Sequence, residues 1–229
     1  LFPPSCPICL GPLAVTTFSS FCTACTAAII PLPSGRCYRC ALPFIASSSS
    51  SHLCADCNRK LPEFSSVYAA GVYAGALKQA LQRFKYSGAV DLDQSLARLL
   101  LAQIPPEVGA EVIVPVPLHL SRLRHRGYNQ SLLLARVLAH NLHLSLDVMV
   151  LRRDVDSHSQ QGLDARQRAR NLRNVFVCTR RLEGRSVLLV DDVMTTGATV
   201  SACTHALLDA GVKSVKIAVI ARAPRYAGR

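Results

Sequence analysis

The chain predicts an α/β fold, a mainly parallel sheet flanked by helices, with a small cysteine-rich module ahead of it. Three observations carry this expectation. After Pro62, short apolar runs alternate with amphipathic helical stretches, the pattern of parallel strands covered on both faces. Eight of the ten cysteines fall before residue 58, and the remaining 172 residues hold only Cys178 and Cys203. The part up to Lys60 is rich in Pro, Ser and Thr and has no long helical period. Such a segment buries too little apolar surface to hold itself together and needs another staple. The expected division is residues 1–60 as a metal-stapled module and 61–229 as the α/β domain.

The elements follow in order. Val67–Tyr73 (VYAAGVY) reads as a strand, and Leu77, Ala80, Leu81 and Phe84 mark one face of a following helix. Asp93 to Ile104 reads as a second helix, with Leu96, Leu99, Leu100 and Ile104 as its stripe. Val112–Pro117 (VIVPVP) is a strand, and Gln130 to Leu142 a further helix. Val175–Cys178 and Val187–Val190 are apolar strand candidates. Val200 to Ala210 is a helix closed by Gly211, and Val215–Ile220 the last strand. Cys178 and Cys203 fall on a strand and a helix face, which suits buried small hydrophobes.

Half of the residues are hydrophobic and 17% are charged, which excludes wholesale disorder. No apolar run reaches the roughly 18 residues that cross a bilayer, and the start, LFPPSCPICL, lacks the basic and apolar regions of a signal peptide. A cytoplasmic protein without membrane insertion is expected; oligomeric state is not legible. The net charge is +12 and unevenly placed: between His119 and Arg185 there are thirteen Arg, no Lys and five acidic residues. Arginine favours forked contacts with phosphate, so an anionic partner is expected: a phosphorylated small molecule, a nucleic acid, or both.

The chemistry concentrates in Val187–Val200 (VLLVDDVMTTGATV). An apolar strand delivers Asp191 and Asp192 to its carboxyl end, where ligands sit in open α/β sheets. Thr195, Thr196, Gly197, Ala198 and Thr199 then form a loop of small residues leading into a helix, able to surround a phosphate with backbone N–H groups and hydroxyls. The carboxylates suit vicinal sugar hydroxyls or a hydrated Mg²⁺. An ordinary strand–turn–helix with a threonine N-cap would explain the acids alone, but not acids and loop in register. No Gly-Lys-Ser/Thr occurs there, so a Walker-type loop is disfavoured.

The cysteines form four Cys-x-x-Cys pairs: Cys6/Cys9, Cys22/Cys25, Cys37/Cys40 and Cys54/Cys57. Twelve residues separate the first pair from the second, and thirteen the third from the fourth. Each knuckle presents two thiolates, so two knuckles complete a tetrahedral Zn²⁺ site. Pairing the first with the second and the third with the fourth gives two closed, structural sites, although an interleaved pairing satisfies the same spacing. His52, beside Cys54, is a weaker alternative ligand. A disulfide framework is opposed by the Cys-x-x-Cys geometry and the expected compartment. The module has a modest basic excess, with Arg36, Arg39, Arg59 and Lys60 against Asp56.

The Asp-Asp and Thr/Gly/Thr combination resembles the phosphoribosyl pyrophosphate (PRPP) motif of type I phosphoribosyltransferases. The segment Val112–Gln130, with Arg122, Arg124 and Arg126 ahead of Gly127-Tyr128-Asn129-Gln130, resembles the ComF family, competence-related and amidophosphoribosyltransferase-like. Tyr73 and Phe84-Lys85-Tyr86 also resemble the segment that precedes the core in that family, and Ser157–Phe176 its mobile hood, with Gln161, Leu163, Arg166, Arg168 and Asn171 in the pattern. The resemblance implies Asp191 and Asp192 on the ribose hydroxyls, Thr195 to Thr199 on the 5-phosphate, and Leu118 to Arg122 with Arg126 near pyrophosphate. Arg222-Ala223-Pro224-Arg225 lies where relatives of the fold bind the acceptor. By the same resemblance the N-terminal pairs form a double zinc ribbon. Implied partners are PRPP with Mg²⁺, single-stranded DNA, and competence or DNA-processing proteins. The implied activity is phosphoribosyl transfer; alternatives are a non-catalytic PRPP sensor that binds single-stranded DNA and a nucleobase-salvage enzyme.

Overall fold

A computed structural model describes residues 5–13, 21–44, 50–86, 88–153 and 175–225. The cysteine module contributes two short helices, α1 (Thr23–Ala27) and α2 (Ala55–Arg59). There follow β1 (Val67–Val72), α3 (Gly75–Tyr86), α4 (Leu92–Leu101), β2 (Val112–Pro115), α5 (Leu120–Arg126), α6 (Gln130–Leu142), β3 (Ser145–Leu146) and β4 (Leu151–Arg153). The chain continues with β5 (Phe176–Cys178), β6 (Ser186–Met194), α7 (Ala198–Asp209) and β7 (Ser214–Arg222). Five strands make one parallel sheet in the order β1-β7-β6-β2-β3, while β4 and β5 pair antiparallel in a separate ribbon. The hood segment, Ser157–Phe176 in the sequence reading, lies outside the described residues up to Asn174.

Alternation along the strands divides the core between the two faces. Leu188 and Val190 of β6 pack with α3, α4 and α6, through Leu77, Leu81, Phe84, Leu96, Leu100, Leu134 and Leu138. Val187 and Leu189 turn to the other face, against Val200, Cys203 and Leu207 of α7. The expected stripe of α3 is buried, whereas Leu99 of α4 is only half-buried and Leu92 takes its place. Cys203 is fully buried and Cys178 half-buried.

Besides the short α1, α2, β3 and β4, which the sequence reading does not contain, three elements differ from it. The strand read as Val187–Val190 continues to Met194, because β7 runs alongside it and pairs Asp191 with Val219 and Met194 with Arg222. Residues 120–126, to which the sequence reading assigns no element, form α5; His119 Nδ1 caps its start by accepting from Ser121 N–H, and Gly127 at φ 83° closes it. No residue of α5 is buried, so no apolar period announces it. The strand at Phe176–Cys178 joins β4 rather than the main sheet.

The cysteine module sits against both halves of the core. Cys6, Ile8, Phe21 and Cys25 belong to the α3–α4–α6 side, and Cys37, Cys40, Cys54 and Cys57 to the α7 side. Its backbone also closes on β1: Val72 N–H donates to Ile30 O at 2.9 Å, and a Cβ on Gly71 would meet that oxygen at 2.6 Å. Among the described residues no helix is long and apolar enough to cross a membrane.

Candidate functional site

The topology makes a crevice at one place. From β2 the chain passes through α6 to β3 on one side, and from β6 through α7 to β7 on the other. The connections leaving β2 and β6 therefore part to opposite sides, and at such switch points α/β sheets hold their ligands. A cavity of about 290 Å³ opens there, lined by Asp191, Asp192, Thr195, Thr199, Arg122 and Arg126. Thr196, Gly197 and Ala198 complete the loop without lining the cavity. Among the described residues, larger hollows between β5 and α7 and under residues 60–63 each carry a single carboxylate and no phosphate loop, and a third, beside Tyr86, Arg122 and His125, carries no carboxylate.

The two acids have different surroundings. Asp192 is buried, and its Oδ2 lies 2.9 Å from Lys85 Nζ, at the end of α3. Asp191 accepts from the Ser131 hydroxyl at 3.0 Å and from the Asp192 N–H at 2.9 Å. Its carboxyl is pushed up to about 7, by burial first and the neighbouring Asp192 charge second, against the opposing pull of the Asp192 N–H, Ser131 and Lys85. Sequence reading named both acids but gave no role to Lys85 and missed Ser131 and Arg153, which line the same cavity. Ser131 stands 60 residues from Asp191, and nothing in local spacing marks that pairing.

The small-residue loop is shaped by Gly197, the N-cap of α7, at φ 85°. An L side chain is strained there, and its Cβ would also sit 2.7 Å from Met194 Cε. Thr196 Oγ1 accepts from Ala198 N–H at 3.3 Å. Beneath the loop lies Arg222, the last residue of β7 and 2% exposed. Its Nη1 donates to Met194 O at 3.0 Å and also to Thr195 O, while its Nε donates to Cys40 O at 2.8 Å. Arg222 is thus turned inward, and Arg225 pairs with Asp56 of α2.

The Arg-Gly-Tyr-Asn-Gln segment works largely as scaffold. Tyr128 Oη donates to Phe84 O at 2.6 Å, and Gln130 Nε2 donates to the same oxygen at 3.2 Å, tying down the end of α3 that bears Lys85. Asn129 caps α6 by accepting from Ser131 N–H and donates to Val116 O at 3.0 Å, which holds the loop after β2. Arg126 donates to Gln130 Oε1 at 2.5 Å and lies over the Tyr86 ring, 5.4 Å from its centroid. Tyr86 is 75% exposed, so an aromatic face flanked by Arg122 and Arg126 borders the cavity.

The cysteines gather as two tetrads, Cys6/Cys9/Cys22/Cys25 and Cys37/Cys40/Cys54/Cys57, with the sulfurs of each within 4.8 Å of one another. The interleaved pairing is therefore not the one adopted. Tetrahedral Zn–S bonds of about 2.3 Å set sulfurs about 3.8 Å apart, and the Cys9–Cys22 and Cys40–Cys54 sulfurs lie 3.7 Å apart. That spacing fits zinc and is far too long for a disulfide. The two sites repeat one construction. Cys6 and Cys37 each open a tight turn, receiving Leu10 N–H and Ala41 N–H at 2.8 Å, and Cys22 and Cys54 each stand at a helix N-cap. Burial would raise the Cys6 thiol, but N–H groups of Cys22, Cys9 and Ile8 outweigh it and bring it to about 6; Cys37 falls likewise to about 7. Burial and neighbouring cysteines push Cys25 and Cys57 up, as expected where thiols share a site and a divalent cation is needed for all to ionise. His52 is not in the tetrad; it stacks on Phe44 at 4.1 Å.

Family models match the chain in two places. A double zinc ribbon domain covers residues 1–58, and a phosphoribosyl transferase domain residues 129–229. The chain is 33% identical over 227 residues to the DNA utilization protein YhgH of Escherichia coli (strain K12), spanning 96% of this chain and 97% of that one. It is 34% identical over 179 residues to Competence protein F of Haemophilus influenzae, spanning 74% and 78% respectively. A solved structure described as the allosteric regulatory enzyme of purine biosynthesis matches 57% of this chain and 26% of its own, at 21% identity and a TM-score of 0.42. The chain belongs to the ComF family, whose members join a double zinc ribbon to a phosphoribosyltransferase domain.

Proposed function

We propose that the protein binds PRPP with Mg²⁺ in the β2/β6 cavity and transfers its phosphoribosyl group to a nitrogen nucleophile. The observation that carries this reading is the convergence of two carboxylates, a threonine-lined loop at a helix start and Arg122, Arg126 and Lys85 around one cavity. Asp191 and Asp192 accept hydrogen bonds from the ribose hydroxyls. Thr195 to Thr199 enclose the 5-phosphate, with Gly197 allowing close backbone approach. Both carboxylates already have protein partners, so a Mg²⁺ would be held chiefly by oxygens of PRPP itself, where it would offset the charge of a departing pyrophosphate. The C1–pyrophosphate bond breaks through an oxocarbenium-like state as the nitrogen lone pair forms the new bond. Arg122, Arg126 and Lys85 stabilise the charge that collects on the leaving group. In this reading residues 1–60 form the ribbon module and 61–229 the transferase domain, in the cytoplasm.

Incubation with PRPP, Mg²⁺ and candidate nucleobases or DNA tests the transferase through pyrophosphate release. Loss of release by at least about a hundredfold in Asp191→Asn/Asp192→Asn supports the enzyme. Binding of PRPP with no release under any acceptor sinks transfer and leaves a sensor. Purine salvage is the less favoured enzyme, since the ribbon and the Arg-Gly-Tyr-Asn-Gln scaffold are unnecessary to it. The names of the relatives, DNA utilization protein and competence protein, favour a link to DNA use, with single-stranded DNA and competence or DNA-processing proteins as partners. Single-strand binding through exposed arginines weakens steeply as salt rises; affinity indifferent to salt removes the basic surface from that role.

A further inference from the structure

The second cysteine tetrad and the phosphate loop share one side chain. Arg222 is a buried guanidinium, and among the described residues no carboxylate pairs with it. Taking such a charge out of water is costly unless polar groups surround it. Carbonyl oxygens and sulfur do so here. Nε donates to Cys40 O, Nη1 to the carbonyls of Met194, Thr195 and Ala223, and Nη2 lies 3.9 Å from Cys40 Sγ. With zinc bound, four thiolates on one divalent ion leave a net negative charge beside this cation. On the other side, the held carbonyls fix the two peptide planes that open the phosphate loop, because each planar peptide turns its following N–H opposite to its carbonyl. The same rigid group therefore reads the state of one site and sets the backbone of the other.

We propose that Arg222 is a positioning residue that couples the second cysteine tetrad to the phosphate loop, so that zinc at the tetrad and a phosphoribosyl ligand at the loop favour one another. The clamp itself stands on the contacts above; the identity of its ligand rests on the PRPP reading. Coupling of this kind is reciprocal: the factor by which zinc strengthens the ligand equals the factor by which the ligand strengthens zinc. Among the described residues no hydrogen bond joins Arg222 to the first tetrad, which differs in access too, since Cys9 is exposed and Cys22 half-buried while all four cysteines of the second are buried.

Two measurements on the full chain test this. Amide hydrogen exchange over residues 193–197 is compared in zinc-loaded wild type, zinc-depleted wild type and Arg222→Met. The clamp requires faster loop exchange in the last two, on the order of tenfold and beyond any acceleration shared by β2 and α6. Loop exchange in Arg222→Met equal to that of wild type overturns the proposal. If Arg222→Met does not fold, Arg222→Lys serves, and must show faster loop exchange at unchanged zinc content. The second measurement follows zinc release to a chromogenic chelator with and without PRPP and excess Mg²⁺. PRPP must slow the later, buried-tetrad phase and leave the early phase alone, and Arg222→Met must abolish that protection. PRPP that binds equally well with and without the second zinc overturns the coupling. A wild-type chain that binds no PRPP overturns the proposed function, and loop exchange then still decides the clamp.

Discussion

Of the two cavity carboxylates, Asp191 is the one raised into the neutral range. Its carboxyl sits at about 7 because burial and the Asp192 charge oppose ionisation. A carboxyl raised on folding binds its proton more tightly in the native state, so stability is lost as pH rises from the ordinary carboxylate range to about 7. Asp191→Asn removes that loss, and its melting temperature should gain on wild type progressively across this window, as calorimetry at a series of pH values can measure. Ligand binding runs the opposite way. A ribose hydroxyl donates best to the carboxylate, so PRPP affinity should rise about tenfold between pH 6 and 8, following ionisation of a group near 7. Titration calorimetry should find that rise in wild type and a flatter profile in Asp191→Asn, which retains the titration of PRPP itself. A wild-type profile as flat as that of the variant would falsify the role given to Asp191.

At the scale of elements, the start of α7 is the most exacting junction. Gly197 holds φ 85°, and a methyl group there would press on Met194 Cε at 2.7 Å. Gly197→Ala should cost about 1–2 kcal/mol from the left-handed backbone alone, seen in urea unfolding, and should weaken PRPP binding because the loop must shift. The β1 edge makes a second such demand. Gly71→Ala drives a Cβ into Ile30 O at 2.6 Å, and overpacking of this kind should destabilise by roughly 1–3 kcal/mol while leaving the cavity residues in place.

These elements also mark the limit of what was legible in the sequence. The buried faces of α3 and α6, and β1, β2 and β7, follow from apolar periodicity, which reports burial. The β6–loop–α7 unit was legible because its acids and small residues are contiguous. Helix α5 was not, since it buries nothing. Nor were the partners of Asp191, Asp192 and Thr195: Ser131, Lys85 and Arg222 arrive from other elements, and only the folded topology brings them together. Tyr128, Asn129 and Gln130 were conspicuous as a motif, yet their work, binding the Phe84 and Val116 carbonyls, needs α3 and β2 beside them.

Across the whole molecule, the ribbon is part of the core rather than an appendage. Its two tetrads enter the apolar clusters on opposite faces of the sheet, and Arg39 ties the module to the linker by donating to Ser65 O at 3.1 Å and Pro62 O at 2.8 Å. Zinc removal should therefore lower the melting temperature of the entire chain in a single shifted transition. Two separate transitions, with the later one unmoved, would mean that the sheet domain is indifferent to its ribbon.

The link from Cys40 to Arg222 spans 182 residues, and this orders events during biosynthesis. The knuckle leaves the ribosome first and its guanidinium partner 182 residues later. At roughly 5–20 residues per second, the interval between them is on the order of 10–40 s. Throughout that interval the nascent ribbon has its thiols but lacks the strand that will cover them. Zinc captured before Arg222 is made would shield those thiols from oxidation, and the ligand cavity gains its supporting clamp only when β7 docks.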